Sequence, residues 1–122
     1  MEESWKIELY ENAQGKKLLE EFFDSLDKKA RLKITHAFGM LETFGLEGGY
    51  PHIKKITGTP LWEYRILGAD SIRIFYVSMT GRIFLILHGF KKKQQKTPAR
   101  EIKIASERLK EYLTRKRINT GY

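Results

Sequence analysis

The sequence predicts an α+β fold in which one strand, two helices, three strands and a final helix follow one another. Three observations support this order. Residues Trp5–Tyr10 alternate apolar and polar side chains, residues 16–44 carry apolar side chains at helical spacing, and Leu61–Pro98 contains three strands rich in Ile, Phe, Tyr and Val. With 122 residues, 41% of them hydrophobic, the chain is expected to form a single domain over residues 1–122.

The positive charge is concentrated in the second part of the chain. Residues 1–50 carry seven Lys/Arg and ten Asp/Glu (7 − 10 = −3), whereas residues 51–122 carry sixteen and five (16 − 5 = +11). This asymmetry favours a basic surface for a nucleic acid or an acidic protein. The absence of cysteine excludes disulfides and thiolate metal sites. With no secretory signal and no membrane-spanning apolar run, we expect a soluble cytoplasmic protein.

Two helices in the first half are predicted to pack as an αα-hairpin. The first covers Lys16–Leu26, and the second begins after Asp27 as N-cap and ends at Gly45. The aromatic side chains of both helices are interpreted as core.

The segment 45–60 is rich in glycine and proline and is interpreted as a functional loop. Its His52, Lys54 and Lys55 suit phosphate contact. A solvated loop with incidental lysines is an almost equal alternative.

The register of the three consecutive strands can be derived from their apolar residues. The predicted strands are Leu61–Ile66, Ser71–Ser78 and Arg82–Gly89. Matching apolar rows places Arg65 directly opposite Arg73, because a one-residue slip would mix arginine into those rows. A two-residue turn at Thr80-Gly81 then places His88 opposite Arg73. The row Arg65–Arg73–His88 predicts an anion site, with an internal ion pair to Glu63 as the alternative.

A basic segment follows the last strand and precedes the final helix. Its lysines are Lys91, Lys92, Lys93 and Lys96. Thr97 as N-cap and Pro98 at the first helical position predict the helix start, and residues 114–122 are expected to form a frayed basic tail.

The chemistry that these residues can supply is cationic. The sequence has no metal-ligand spacing, no phosphate-binding glycine loop and no serine or cysteine nucleophile motif. A cationic site suits RNA cleavage, in which the 2′-OH is the nucleophile. Arginines would stabilise the phosphorane, and a histidine or a lysine of lowered pKa would move protons without a metal or other cofactor.

The motifs LWEYRI, SIRIFYV and ILHGFKKKQQKTPAREIKIASERLKEYL resemble the HigB toxins of the phage-derived Gp49-like group. These belong to the RelE-like superfamily of type II toxin–antitoxin systems. The resemblance implies a RelE-like antiparallel sheet, made of one N-terminal strand plus a three-stranded meander, with an N-terminal αα-hairpin and a C-terminal helix. It also implies a ribosome-dependent endoribonuclease (an mRNA interferase) that is neutralised by a HigA-like helix-turn-helix antitoxin and meets DNA only through that complex.

By position, the resemblance assigns the arginines of WEYR and SIRIFY and the lysines after the last strand to the site. The catalytic candidates are Arg65, Arg73, Lys92, Lys93 and His88. The RNA-binding candidates are His52, Lys54, Lys55, Lys91 and Lys96, with His52 also an acid/base candidate. The final helix is not followed by a matching motif, so Tyr112 and Tyr122 are not assigned an RNA-stacking role.

Two other classes of function fit the same features. One is a non-catalytic nucleic-acid-binding module that uses the basic face for backbone affinity alone. The other is an interaction protein whose basic half docks an acidic partner.

Overall fold

The computed structural model describes residues 4–68, 71–93 and 95–119, and it contains a five-stranded sheet with helices on both faces. The α+β class is therefore confirmed. The elements are β1 (Lys6–Leu9), α1 (Leu18–Asp24), α2 (Lys28–Phe44), β2 (Ile53–Lys55), β3 (Trp62–Ile66), β4 (Ile72–Met79), β5 (Ile83–Lys91) and α3 (Ala99–Asn119). A short 3-10 helix, Gly45–Gly49, and β2 lie within the segment expected to be a loop.

The sheet is mixed, with strand order β1-β5-β4-β3-β2. The expectation of a wholly antiparallel sheet is wrong for β1, which pairs with β5 in parallel. Two helices carry the chain across one face to the β2 edge, and three antiparallel pairings then bring β5 back beside β1. The largest fully buried side chains, Tyr76, Phe75 and Phe84, belong to β4 and β5, so the core is centred on these two strands.

The β3–β4 register is confirmed, because Arg65 lies opposite Arg73. The β4–β5 register is wrong by two residues, and Arg73 lies opposite Phe90. One residue of this shift comes from the turn, since Met79 pairs with Ile83 across a three-residue connection. The other comes from a bulge, where Phe75 pairs with His88 but Tyr76 pairs with Ile86. The total shift is two residues, and side chains alternate between the two faces along a strand. His88 therefore stays on the same face of the sheet as Arg73.

The two N-terminal helices cover one face of the sheet. The Asp27 side chain accepts a hydrogen bond from the Ala30 N–H at 2.8 Å, which confirms the predicted N-cap of α2. Gly45 ends α2 with φ 68°, a conformation that favours glycine. The rings of Phe23 and Phe38 meet edge to face at 6.1 Å and hold α1 against α2, as expected for the αα-hairpin.

The C-terminal helix lies on the opposite face, as shown by the hydrogen bond between His88 of β5 and Glu101 of α3. Thr97 as N-cap is wrong: α3 begins at Ala99, and the Thr97 hydroxyl donates to the Glu63 carboxylate instead. In the part of the tail that the structure describes, α3 continues to Asn119, and fraying of this tail stays a prediction. Residues 120–122 lie outside the described residues.

No helix in the described ranges is both long and apolar enough to cross a membrane.

Candidate nucleic-acid site

A polar cleft of about 250 Å³ opens where β2, β3, β4 and the segment after β5 meet. Its lining is made of cations, one carboxylate, a histidine and two apolar residues: Lys54, Arg65, Arg73, Lys92, Glu63, His52, Pro51 and Ile53. Five of the ten predicted site residues therefore come together in one cavity. Such a concentration of guanidinium and ammonium groups suits a phosphate or another polyanion.

The strand register explains why these side chains converge. Arg65 and Arg73 are direct cross-strand partners, and Lys54 of β2 is the partner of Glu63. Glu63 and Arg65 are two residues apart on β3, so both project from the same face. Lys92 follows β5 directly, and its backbone N–H donates to the Ser71 carbonyl at 2.9 Å, which fixes the segment beside β4.

Glu63 is the carboxylate that lines the cleft, and it is only 2% exposed. Its carboxylate accepts a hydrogen bond from the Thr97 hydroxyl at 2.9 Å and pairs with Lys54 Nζ at 3.3 Å and Arg73 Nε at 3.8 Å. A buried carboxylate is tolerated when it is paired and hydrogen-bonded in this way. Arg73 thus forms the ion pair with Glu63 that the sequence offered as the alternative to an anion site. Among the described contacts, none pairs the Arg65 side chain.

The clustering of cations changes their proton affinity. Burial and the neighbouring Arg65 lower the pKa of the Arg73 guanidinium, and Glu63 opposes that shift. Burial also lowers the pKa of the Lys92 ammonium; Glu63 raises it, while Arg73, Lys54 and Arg65 lower it further. The lowered pKa makes the Lys92 ammonium a better proton donor than an ordinary lysine side chain.

A second, shallower cavity of about 470 Å³ continues from the cleft past Arg73 and Lys92. It reaches Ser71, Lys93 and Gln95. Lys93 thus lies next to the cleft, where it can contact a longer anionic chain.

His52 lies in the wall of the cleft. Its backbone carbonyl accepts a hydrogen bond from the Arg65 N–H at 2.8 Å. Its Nδ1 is buried and has no hydrogen-bond partner among the described residues.

His88 does not reach the cleft. Its Nε2 lies 2.7 Å from Glu101 Oε1, and its Nδ1 lies 3.4 Å from the Arg108 guanidinium, which also donates to the Leu87 carbonyl. Since arginine can only donate, these partners assign the proton of a neutral imidazole to Nε2. Burial lowers the pKa of His88, against the opposing effect of Glu101. Both ring nitrogens are engaged in holding α3 on the sheet.

Three further predicted RNA-binding lysines lie away from the cleft. Lys55 is the neighbour of Trp62, with its ammonium 5.5 Å from the ring centre, on the face opposite Lys54. Lys91 is the partner of Ile72 and shares its face, opposite that of Arg73. Lys96 is exposed beyond the shallower cavity.

Two residues of the cleft region were not predicted as site residues. The sequence pattern indicates Glu63 only as a competing ion-pair partner and Thr97 only as a helix cap. The signal for Glu63 was available, since a carboxylate two residues before Arg65 on a strand must share its face. The contact of Thr97 depends on how α3 docks, which no local pattern indicates.

The model of the phage-derived Gp49-like family (DUF891) matches residues 21–110, more than half of the chain. The chain belongs to the Gp49-like family. This is a phage-derived toxin family of the RelE/HigB-like kind, and such a toxin implies an antitoxin partner. The matched range includes every residue that lines the cleft. No curated protein matches the chain.

Proposed function

We propose that this Gp49-like protein is a HigB-type toxin that cleaves mRNA on the ribosome. The observation that carries the proposal is the convergence of Arg65, Arg73, Lys54 and Lys92 on one cleft in a member of a toxin-like family. The partners of this activity are mRNA, the ribosome and a HigA-like helix-turn-helix antitoxin, and its compartment is the cytoplasm.

The proposed reaction is a metal-independent attack of the ribose 2′-OH on the adjacent phosphate. Arg73 and Arg65 bind the scissile phosphate and stabilise the charge that develops on the phosphorane. Lys92, whose pKa is lowered, exchanges protons with the reacting oxygens. The P–O5′ bond breaks as the O2′–P bond forms, so the products carry a 2′,3′-cyclic phosphate and a 5′-hydroxyl.

The other basic residues are proposed to hold the flanking RNA. Lys54 and His52 contact the phosphate next to the scissile one, and Lys93 contacts the chain in the shallower cavity. Lys55, Lys91 and Lys96 remain predicted contacts for RNA or ribosomal phosphates outside the cleft. His88 remains a prediction without a role in this scheme, because its nitrogens are already engaged.

Growth on induction tests the activity, with Arg65→Ala compared with Arg31→Ala. Both arginines are exposed, so neither truncation opens the core, but only Arg65 lines the cleft. We expect wild type and Arg31→Ala to arrest growth, and Arg65→Ala to lose on the order of 10²-fold in cleavage rate. Equal arrest by both variants would contradict the assignment of the site.

Primer extension on RNA from induced cells separates cleavage from binding. New 5′ ends within translated reading frames support an endoribonuclease. Growth arrest without such ends would instead support a non-catalytic nucleic-acid binder. A single 2′-deoxy substitution at the cut nucleotide of a reporter RNA should abolish cleavage there, because it removes the nucleophile.

A further inference from the structure

An apolar groove of about 420 Å³ runs between α2 and β3, on the far side of Arg65 from the cleft. Its floor and walls are mainly aliphatic and aromatic, and its lining is Lys29, Leu32, Lys33, His36, Ala37, His52, Tyr64, Arg65, Ile66 and Leu67. We propose that this groove docks a short acidic amphipathic segment of a partner protein, and that docking there closes the neighbouring cleft.

Two leucines that line this groove are exposed to solvent, although exposing them does not stabilise the isolated monomer. Leu32 on α2 is 60% exposed, Leu67 directly after β3 is 54% exposed, and both line the groove. Leu32 also lies off the apolar stripe by which α2 packs on the sheet, which includes Ile34 and Leu41. Exposed leucines at a concave apolar site are typical of a surface that receives side chains of another protein.

The charged groups that line the groove are all cationic. Lys29, Lys33, His36 and Arg65 line it, and no carboxylate is among the lining residues. On α2 the first three are spaced i, i+4 and i+7, so they form one ridge along the groove. Lys33 Nζ also donates to the Leu67 carbonyl at 2.8 Å, which holds this ridge against the end of β3.

This combination fits a segment with alternate apolar and acidic residues. Apolar side chains would cover Leu32 and Leu67, while carboxylates would pair with Lys29, Lys33 and His36. An RNA strand fits less well, because phosphates and riboses gain little from an aliphatic floor. Amphipathic segments that bind grooves use this division between apolar anchors and a charged rim.

The groove and the cleft share two residues, His52 and Arg65. A segment seated in the groove would therefore draw the Arg65 guanidinium toward its own carboxylates and would crowd His52. The two ligands would then exclude each other. This second part of the inference rests on the proposed function, whereas docking itself does not.

The test starts from a phage-displayed library of random short linear peptides selected on the purified chain. The best peptide is synthesised with a fluorophore, and its affinity is measured by anisotropy for wild type, Leu32→Glu and Leu67→Glu. Leu113→Glu is the matched control, since Leu113 is an exposed leucine on α3, 47% exposed and outside the groove. Thermal melts verify that all variants fold.

We expect selected peptides to be enriched in Asp and Glu alongside Leu, Ile or Phe. Either groove variant should weaken binding about tenfold or more, as for an interface anchor, and Leu113→Glu should not. Peptides without acidic enrichment, equal binding to every variant, or no selected peptide at all would overturn the proposal. A further outcome would also overturn the proposal: Leu67→Glu could lose binding to a short single-stranded RNA while its peptide binding stays unchanged. That result would assign the groove to RNA.

Competition between the selected peptide and a short single-stranded RNA tests the link to the cleft. Displacement of RNA by the peptide supports it, and simultaneous binding of both overturns it. If the chain binds and cuts no RNA, the proposed function fails, while the peptide affinities still decide whether the groove is a docking site.

Discussion

Replacing Glu63 by glutamine is the sharpest perturbation of the cationic cleft. The change keeps the size of the side chain, and the amide oxygen can still accept the hydrogen bond from Thr97. It removes the negative charge that faces Arg73, Lys54 and Lys92. The expected result is a folded protein of lower stability whose cleft attracts anions more strongly.

The size of the loss follows from the exposure of each partner. The Arg73 side chain is 14% exposed, and its Nε lies 3.8 Å from the Glu63 carboxylate. Removing one partner of a buried pair costs about 3–5 kcal/mol. Lys54 is 61% exposed, so its pair adds less than about 1 kcal/mol. The amide also avoids the desolvation cost of the buried carboxylate, which offsets part of the loss. We expect the free energy of unfolding to fall by about 2–4 kcal/mol.

Urea unfolding of purified Glu63→Gln and wild type measures this difference. Sodium phosphate should restore stability to the variant more than sodium chloride of equal ionic strength, because a bound phosphate replaces the missing charge. Glu107→Gln, an exposed position on α3, is the matched control and should change stability by less than about 0.5 kcal/mol. A Glu63→Gln protein as stable as wild type, with no specific response to phosphate, would refute the view that Glu63 compensates the cations.

Three other perturbations test features that support the site. Gly89→Ala should destabilise the protein by about 1–3 kcal/mol in thermal or urea unfolding, because a Cβ there would lie 2.7 Å from the Phe22 ring. His88, whose folded pKa lies below its ordinary value, binds fewer protons than in the unfolded state, so stability should fall from about pH 7 toward pH 5 and His88→Gln should flatten that slope. Asp27→Ala should cost about 0.5–2 kcal/mol in urea unfolding, since it removes the cap of α2.

Matched variants in the same chain control two of these measurements. Gly39 in α2 has open space where a Cβ would be, so Gly39→Ala should stabilise by up to about 1 kcal/mol. Destabilisation of equal size at Gly39 and Gly89 would contradict the packing explanation. The exposed His36 controls for His88, and a pH slope that disappears in His36→Gln but persists in His88→Gln would contradict the assignment.

The sequence predicted the part of the sheet in which one face is apolar and the other is polar. Charged and apolar residues alternate through β3 and the start of β4, and only one register keeps Arg65 and Arg73 out of the apolar rows. The β5 strand offers no such pattern, because every residue from Phe84 to Phe90 is buried. No sequence pattern therefore indicated the bulge near Tyr76 or the longer turn. His88 was predicted opposite Arg73, whereas it lies opposite Phe75.

The candidate site shows the same division between local and long-range information. Arg65, Arg73 and Lys92 were predicted because strand alternation and chain direction place them. The burial of Glu63 depends on Thr97, which docks from the start of a helix on the other side of the basic segment. The parallel pairing of β1 depends likewise on the whole path of the chain.

The pairing of β1 with β5 also sets when the molecule can be completed during synthesis. The first strand to leave the ribosome is hydrogen-bonded only to the last one, within the described sheet. A chain that stops before Ile83 leaves β1 without its neighbour and lacks both Lys92 and Thr97 of the cleft region. Prematurely terminated products therefore carry an incomplete sheet and no assembled cationic cleft.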